Sequence, residues 1–430
     1  MNMKMNAPTL LAECDTLALV QAFNETRETT ESICKPLEVE DYGLQGADFA
    51  SPPKWHLAHT SWFFETFLLR PLLGGYECFH PAFETLFNSY YNGVGEQFPR
   101  PDRGLLSRPS VAEVYAYRQH VNHAMRKLLS QWEHGQWPAI AERCLLGVQH
   151  EKQHQELLLT DIKYSLYKNP LLPAYQKAAP PTDSDIDIQP QCWRDYEGGL
   201  VEVGVDPQSE AFYFDNEAPA HQVFLAPFSL SNRLVTNAEY QAFVDDGGYQ
   251  RSELWLSDGW ATVQKHRWCQ PLYWREQGGR AMEYSLYGLV ERQPQQAVIH
   301  LSLYEADAFA NWAGARLPSE FEWEFAASQQ RFIESSVADL QPCLASGDQP
   351  LLQLQDSAWQ WTASSYRPYP GFTIADGAMG EYNGKFMCSQ WVLRGGSCVS
   401  SAQHLRRSYR NFFYPEDRWQ FSGIRLAKKQ

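Results

Sequence analysis

The sequence has few of the features that mark secreted or membrane-spanning proteins. Its 9 cysteines are odd in number and form no CxxC pair, which favours a reducing compartment over a disulfide framework. No run of about 18 apolar residues is present, so a membrane span is not expected. The first apolar stretch is interrupted by Glu13 and Asp15 and lacks the long core of a signal peptide. We therefore expect a cytoplasmic protein.

Basic charge is also scarce in this chain. It has 36 Lys and Arg against 51 Asp and Glu, which gives a formal net charge of −15. Nucleic-acid-binding proteins usually present a basic face, so a nucleic-acid partner is not expected. Aromatic residues are instead abundant, with 15 Trp, 22 Tyr and 23 Phe. This abundance fits aromatic-packed loops or a site for flat or cationic ligands.

The first part of the chain has helical periodicity. A length of 430 residues suggests two or three domains. Apolar residues recur at helical spacing over 10–32, 55–69, 110–132 and 138–167, and Ser110 stands at the N-cap position of the third segment. Four such segments predict a four-helix bundle over residues 1–175. The long connection over 71–108 is expected to be structured or functional.

The second part of the chain has a different sequence pattern. Residues 176–194 are rich in proline and small polar residues and are interpreted as a linker. From residue 195 to 430, short alternating segments such as LVEVGV at 200–205 lie between Gly, Asp and Pro turns, and one helix is predicted over 303–313. The chain is therefore predicted to belong to the α+β class, with a helical bundle followed by a mixed domain.

The strongest chemical signal is the pattern HEKQHQE in the fourth predicted helix. His150 and His154 are four residues apart and project from one helical face, so two imidazoles can approach one metal ion. A third ligand would come from His59 or His56 in the second helix. Such a set suits zinc, copper or ferrous iron, although the same spacing also occurs in pairs with no metal. Glu156 would orient a ligand imidazole or pair with a surface lysine.

These segments carry a family likeness. SPPKWHLAHTSWFFETFLL, LFNSYY and QHEKQHQELLL resemble the DinB-like bundle of the ergothioneine-biosynthesis sulfoxide synthases. ARLPSEFEWEFAA, WQWTASSY, LRGGS and SGIRLA resemble their second domain, which is related to formylglycine-generating enzyme and has a C-type-lectin-like fold. The likeness extends from about residue 10 to residue 428 in the family's domain order.

The resemblance implies an activity and a metal. In this family three histidines bind Fe(II), and the matching positions are His59, His150 and His154, whereas His56 falls at a variable position and is interpreted as a bundle or rim residue. The implied reaction uses O₂ to join the sulfur of cysteine to the imidazole ring of hercynine (N-α-trimethylhistidine), giving hercynylcysteine sulfoxide.

The resemblance also implies roles for residues around the metal. Tyr90 and Tyr91 match a tyrosine pair that supplies a proton or an electron during oxygen chemistry, although some members place that tyrosine in the second domain. Gln153 stands at a position that faces substrate. In the loop that contains Arg100, Arg103 and Arg108, Arg103 is expected to clamp the carboxylate of the thiol substrate.

Three residues near the C-terminus complete the predicted site. Asn411 matches the residue that holds the hercynine carboxylate, and the rings of Phe412 and Phe413 suit a trimethylammonium group. Phe413 replaces an aspartate that the γ-glutamylcysteine-using branch carries, which favours free cysteine as the sulfur donor.

The sequence is also compatible with other activities. The same chemistry with γ-glutamylcysteine, or a related enzyme forming C–S or C–Se bonds in ovothiol-type or selenoneine-type products, would share the histidine site. A formylglycine-generating enzyme needs a cysteine pair shortly after its GGS segment, and only Cys398 stands there. A non-catalytic binding protein with the same two domains would be favoured by loss of a histidine ligand, and all three are present.

Overall fold

The computed structural model describes residues 16–131, 135–178, 180, 188–209, 211–331, 340–375 and 377–430. The chain divides into two compact units. The first, here called the helical unit, contains the chain up to Pro170 together with Asp206–Phe212 and Thr373–Lys385. The second, the mixed unit, contains Leu171–Val205, Tyr213–Phe372 and Phe386–Gln430. The two short segments that join the helical unit from the region after residue 195 were not assigned to it from the sequence.

The helical unit contains the four predicted helices. They are α1 (Thr16–Cys34), α2 (Pro53–Phe64), α3 (Val111–Ser130) and α4 (Trp137–Tyr167). Helix α1 packs on α4, and α2 packs on both α3 and α4. The bundle is therefore confirmed, although the predicted start of the first helix, at residues 10–15, lies outside the described residues.

Local sequence explains how two of these helices begin and continue. The Ser110 side chain accepts a hydrogen bond from the Glu113 backbone and Glu113 returns one, which is a capping box at the start of α3. Every residue of α2 is buried, as expected for a helix with neighbours on several sides. Helix α2 continues through a π-helical turn at Glu65–Leu69 into a short helix at Arg70–Leu72.

A buried ionic network joins three of the four helices. Glu151 of α4 accepts hydrogen bonds from Arg27 of α1 at 2.8 Å, from Arg118 of α3 at 3.0 Å and from Thr30 at 2.7 Å. Burial alone would raise the pKa of Glu151, but the two guanidinium groups outweigh burial and lower it. Because Glu151 follows His150 directly, this network fixes the part of α4 that carries the histidine pattern.

In the described part of the mixed unit, short strands form four sheets. The strands are β1 (Trp193–Tyr196), β2 (Gly199–Val203), β3 (His221–Leu225), β4 (Phe228–Ser231), β5 (Trp274–Gln277), β6 (Arg280–Ser285), β7 (Gly288–Glu291), β8 (Trp359–Ser365), β9 (Trp391–Arg394), β10 (Asn411–Phe413), β11 (Ser422–Gly423) and β12 (Ala427–Lys429). The sheet orders are β1-β4-β12, β10-β9-β8-β11, β2-β3 and β5-β6-β7. Pairing is antiparallel except between β11 and β8.

Four α-helices accompany these sheets among the residues that the structure describes. They are α5 (Asn237–Asp245), α6 (Ser257–His266), α7 (Leu303–Trp312) and α8 (Glu320–Ser328), and α7 confirms the helix predicted over 303–313. A core cluster packs Trp323 of α8 against Phe228 and Leu230 of β4. The predicted α+β class is thus confirmed. In the described part of the chain, no helix combines the length and apolar content needed to cross a membrane.

Candidate metal centre

Three histidines converge inside the helical unit. His59 of α2 and His150 and His154 of α4 each offer a ring nitrogen, and these atoms lie within 4.8 Å of one another. The Nε2 atoms of His59 and His150 are 3.2 Å apart. The resemblance had named the same three residues, and the structure brings them together.

Hydrogen bonds restrict which nitrogen two of these three histidines can offer to a metal ion. His59 Nδ1 lies 2.6 Å from the carbonyl oxygen of Phe87, which only accepts, so Nδ1 carries the proton and Nε2 keeps its lone pair. His154 Nδ1 lies 2.9 Å from His56 Nδ1, which leaves His154 Nε2 for another partner. His150 Nδ1 has no hydrogen-bond partner among the described residues.

The histidine cluster is arranged for a metal ion. Burial lowers the pKa of His150 to about 3 and the pKa values of His59 and His154 well below the usual range, so all three rings are neutral, which is the metal-binding form. Two nitrogens bound to one ion at about 2.1 Å would lie about 3.0–3.4 Å apart for angles from about 90° to 109°. The observed 3.2 Å between His59 and His150 falls within that interval.

His56 does not lie at the rim of the bundle. It is buried, and its Nε2 lies 3.2 Å from Asp161 Oδ2 while its Nδ1 contacts His154. The hypothesis that Glu156 orients a ligand imidazole is wrong, because the Nδ1 partners of His59 and His154 are Phe87 and His56, and that of His150 is absent from the described residues. The sequence contained one signal for this arrangement. Asp161 follows His154 by seven residues, so the two side chains lie two turns apart on the same face of α4.

Aromatic rings stack on His59. The ring of Trp55 stacks on that of His59 with centroids 4.6 Å apart, and the ring of Trp62 also stacks on it at 5.5 Å. The guanidinium of Arg103 lies 3.4 Å from the centre of the Trp55 ring and donates a hydrogen bond to Ser51 Oγ at 2.9 Å. Arg103 is buried, and burial lowers its pKa to about 8. Its Nε finds no partner in the described part of the chain.

Tyr90 and Tyr91 lie beside this aromatic group. Their rings stack with centroids 4.6 Å apart, and Tyr91 packs on Trp62 at 5.5 Å. Tyr91 is fully buried, and burial, followed by the neighbouring phenols of Tyr90 and Tyr382, raises its pKa well above the usual range. Tyr91 is therefore a neutral phenol that retains its proton at physiological pH.

Tyr382 lies beside the histidine cluster and was not among the residues predicted from the sequence. Its hydroxyl donates a hydrogen bond to Oε1 of Gln153, and its ring centroid lies 5.8 Å from that of His150. It belongs to the Thr373–Lys385 segment, which is part of the helical unit. No periodic pattern marks this segment. The only signal was the family tendency to place a tyrosine in the second domain.

Two charged residues hold this segment against the tyrosine pair. The Glu381 carboxylate accepts hydrogen bonds from the backbone of Asn92 at 3.0 Å and of Gly93 at 2.6 Å. Lys385 pairs with Glu381 at 2.7 Å and donates a hydrogen bond to the Tyr90 carbonyl. The loop that carries Tyr90 and the segment that carries Tyr382 are thereby fixed to each other.

The three predicted C-terminal site residues form β10 of the mixed unit. The ring of Phe412 stacks on Tyr366 with centroids 4.2 Å apart, and Phe413 meets Trp419 edge to face at 5.5 Å. Asn411 Oδ1 accepts a hydrogen bond from the backbone of Phe412 at 2.9 Å. The Asn411 amide nitrogen is therefore directed away from that bond, and all three residues are partly exposed.

Comparisons with known proteins agree with both units. A DinB superfamily model matches residues 22–158, and a model of the sulfatase-modifying factor enzyme 1-like domain matches residues 196–345 and 344–430. Hercynine oxygenase of Mycolicibacterium thermoresistibile is 32% identical over 423 residues, covering 88% of this chain and 87% of that protein. This chain belongs to the hercynine oxygenase family. The family member from Mycobacterium tuberculosis is 33% identical over 404 residues, covering 88% of this chain and 91% of its own.

Similarity to formylglycine-generating enzymes is more limited than similarity to the hercynine oxygenases. The enzyme of Streptomyces coelicolor is 31% identical over 153 residues, which is 30% of this chain and 45% of that protein. The hercynine oxygenases align along most of the chain, so the predicted family and its two-part architecture are confirmed. The roles of individual site residues stay predictions.

Proposed function

We propose that this member of the hercynine oxygenase family binds Fe(II) through His59, His150 and His154 and uses O₂ to join cysteine to hercynine. The product would be hercynylcysteine sulfoxide. The observation that carries this proposal is the convergence of three neutral imidazole nitrogens, two of them 3.2 Å apart, in a chain whose relatives are named hercynine oxygenases.

The proposed reaction balances without an external reductant. One S–H bond of cysteine and one C–H bond of the imidazole are lost, while a C–S bond and an S–O bond form. One oxygen atom of O₂ enters the sulfoxide and the other leaves as water. When bound, Fe(II) would lower the pKa of the thiol, hold the reactants in contact and mediate electron transfer to O₂.

Residues of the helical unit would bind and orient the substrates. Arg103 is buried, positively charged and placed against the Trp55 ring next to His59, which supports its role as the partner of the cysteine carboxylate. Gln153, already hydrogen-bonded to Tyr382, would present its amide nitrogen to hercynine. The stacked rings around His59 would limit water access and keep that ligand in a fixed orientation.

A proton would come from the phenols near the metal centre. Tyr90 and Tyr91 were expected from the sequence, and Tyr382 joins them because its ring lies 5.8 Å from His150. A phenol that keeps its proton and lies beside the histidine cluster can donate that proton when oxygen is reduced. This property supports a tyrosine as the acid.

Residues of β10 would recognise the betaine end of hercynine. The Asn411 amide would donate to the carboxylate, since its carbonyl oxygen is already engaged. The rings of Phe412 and Phe413 would face the trimethylammonium group, which has no hydrogen to donate and interacts favourably with aromatic faces. Phe413 offers no charge to a γ-glutamyl ammonium group, which supports cysteine as the donor.

A single-turnover assay tests the proposal. The protein is loaded anaerobically with Fe(II), mixed with hercynine and one of cysteine, γ-glutamylcysteine or a selenium donor, and then exposed to air before mass spectrometry. We expect the cysteine sulfoxide as the main product and none from a His59→Ala control. A dominant γ-glutamylcysteine or selenium product would show that the protein uses that donor in place of cysteine. The absence of any coupled product would refute the proposal.

A further inference from the structure

Two buried polar side chains, His56 and Asp161, extend from His154 in a line of hydrogen bonds and have no role in the proposed reaction. His56 Nδ1 lies 2.9 Å from His154 Nδ1, and His56 Nε2 lies 3.2 Å from Asp161 Oδ2. The backbone N–H of Ser51 donates to the same Asp161 oxygen at 2.8 Å. Both His56 and Asp161 are 2% exposed, so water does not compete for these bonds.

The helices place these groups in line. His154 and Asp161 are seven residues apart on α4 and therefore share one face, separated by two turns. On α2, which packs against α4, His56 precedes the predicted ligand His59 by three residues and therefore lies about one turn from it. Its imidazole consequently bridges two points of α4, one of which is a predicted ligand.

Hydrogen-bonding rules give donor and acceptor roles to Asp161, His56 and His154. Asp161 Oδ2 already accepts from the Ser51 backbone, and the same oxygen can accept from His56 Nε2, which makes Nε2 the donor. In the tautomer that carries its ring proton on Nε2, His56 has an Nδ1 that only accepts. His154 Nδ1 must therefore donate to His56, and the His154 lone pair is left on Nε2. This is the nitrogen that remains for a metal ion.

We propose that His56, anchored by Asp161, is a positioning residue that holds His154 in the tautomer and orientation required for metal binding. The proposal deepens the proposed function, because it concerns the same histidine site. Ligand histidines commonly donate their second N–H to a carboxylate or carbonyl, and loss of that partner typically weakens metal binding about 10–100-fold. In this chain a second histidine stands between the ligand and the carboxylate.

Two substitutions of similar size separate positioning from simple packing. In His56→Asn, the amide oxygen occupies the place of Nδ1 and still accepts from His154. In His56→Gln, the amide nitrogen occupies the place of Nε2 and still reaches Asp161, but no acceptor faces His154. The first variant keeps the contact to the ligand and the second keeps the contact to the anchor. His123→Gln, on an exposed position of α3, is the matched control.

Co(II) titration of the metal-free protein is the measurement, with the visible absorption spectrum and the thermal unfolding of the apo form recorded alongside. We expect His56→Gln to bind Co(II) about 10–100-fold more weakly with an altered spectrum, and His56→Asn and His123→Gln to stay within about threefold of the unchanged protein. Equal affinities and spectra for His56→Asn and His56→Gln would overturn the proposal. So would losses of Co(II) affinity that simply parallel the loss of thermal stability in each variant.

This test is independent of turnover. It uses no hercynine, thiol or O₂, so failure of the protein to form a sulfoxide would refute the proposed function and leave the Co(II) result unaffected. Conversely, equal Co(II) binding by the two His56 variants would remove the positioning role while the catalytic proposal stands on its own assay.

Discussion

The Nε2 atoms of His59 and His150 lie 3.2 Å apart, although the two residues are separated by 91 positions in the sequence. Without a metal ion, one of these nitrogens can donate a hydrogen bond to the other, and a shared cation would take the place of that proton. The packing of α2 against α4 therefore brings two imidazole nitrogens to a separation that suits a shared metal ion.

This relationship predicts how histidine substitutions change iron binding. His59→Ala removes a ligand, so we expect loss of bound Fe(II) and of all turnover. His56→Ala leaves the three ligands in place, so it should still load with most of its iron under iron excess. Anaerobic equilibrium dialysis against excess Fe(II), followed by iron quantification, makes the comparison. Equal iron loss in both variants would count against the ligand assignment.

The tyrosine cluster predicts a change in product distribution. If one of Tyr90, Tyr91 and Tyr382 delivers the proton, its replacement by Phe should slow sulfoxide formation about 10²–10⁴-fold. Thiol should then be diverted toward simple oxidation, which product analysis detects. Because Tyr382 and Tyr91 belong to different segments of the helical unit, three single variants identify the donor. Three variants with unchanged rates would place the acid elsewhere.

Phe413 predicts the choice of sulfur donor. A γ-glutamyl donor carries an extra ammonium group that needs a charged partner, and Phe413 offers none. We expect kcat/KM to favour cysteine over γ-glutamylcysteine by about 1–3 kcal/mol, the range for one missing charge pair. Phe413→Asp should narrow this gap. A competition assay in air-saturated buffer measures it, and a preference for γ-glutamylcysteine by the unchanged protein would be inconsistent with this assignment.

The Arg27–Glu151–Arg118 network predicts a pH-dependent contribution to stability. The pKa of Glu151 is lower in the folded protein than its unfolded value of about 4.5. Its contribution is therefore fully present above pH 4.5 and is lost as the pH falls through the folded pKa. Glu151→Ala leaves two buried guanidinium groups without their carboxylate, and we expect a loss of about 3–5 kcal/mol at pH 7.

Urea unfolding at several pH values measures this contribution. Glu151→Gln should flatten the acid limb of the stability curve, whereas Glu28→Gln, on an exposed position of α1, should leave it unchanged. An acid limb that is identical in the unchanged protein and Glu151→Gln would show that this carboxylate does not carry the effect.

The sequence predicted much of the helical unit for clear physical reasons. Helical spacing of apolar residues marked all four helices, and Ser110 marked the start of α3 because its side chain caps that helix. His150 and His154 were recognisable because four residues bring side chains to one face. The choice of His59 over His56 came from the family likeness, since both residues lie on α2 and periodicity treats them alike.

Other parts of the site depend on contacts that no local pattern records. The role of His56 follows from which nitrogen faces His154 and Asp161, and that is decided by the packing of two helices. Tyr382 lies 229 positions from Gln153, to which it is hydrogen-bonded, in a segment without periodicity. The contact between Arg103 and the Trp55 ring likewise depends on the course of the long loop between α2 and α3.

The most direct test of the central claim uses isotopically labelled O₂. The anaerobic protein, loaded with Fe(II), hercynine and cysteine, is mixed with labelled O₂ in ordinary water, and the product is examined by mass spectrometry. The account predicts a hercynylcysteine sulfoxide that carries one labelled oxygen atom, with no such product from His59→Ala. Formation of cystine alone, or of a coupled product whose oxygen comes from water, would contradict it.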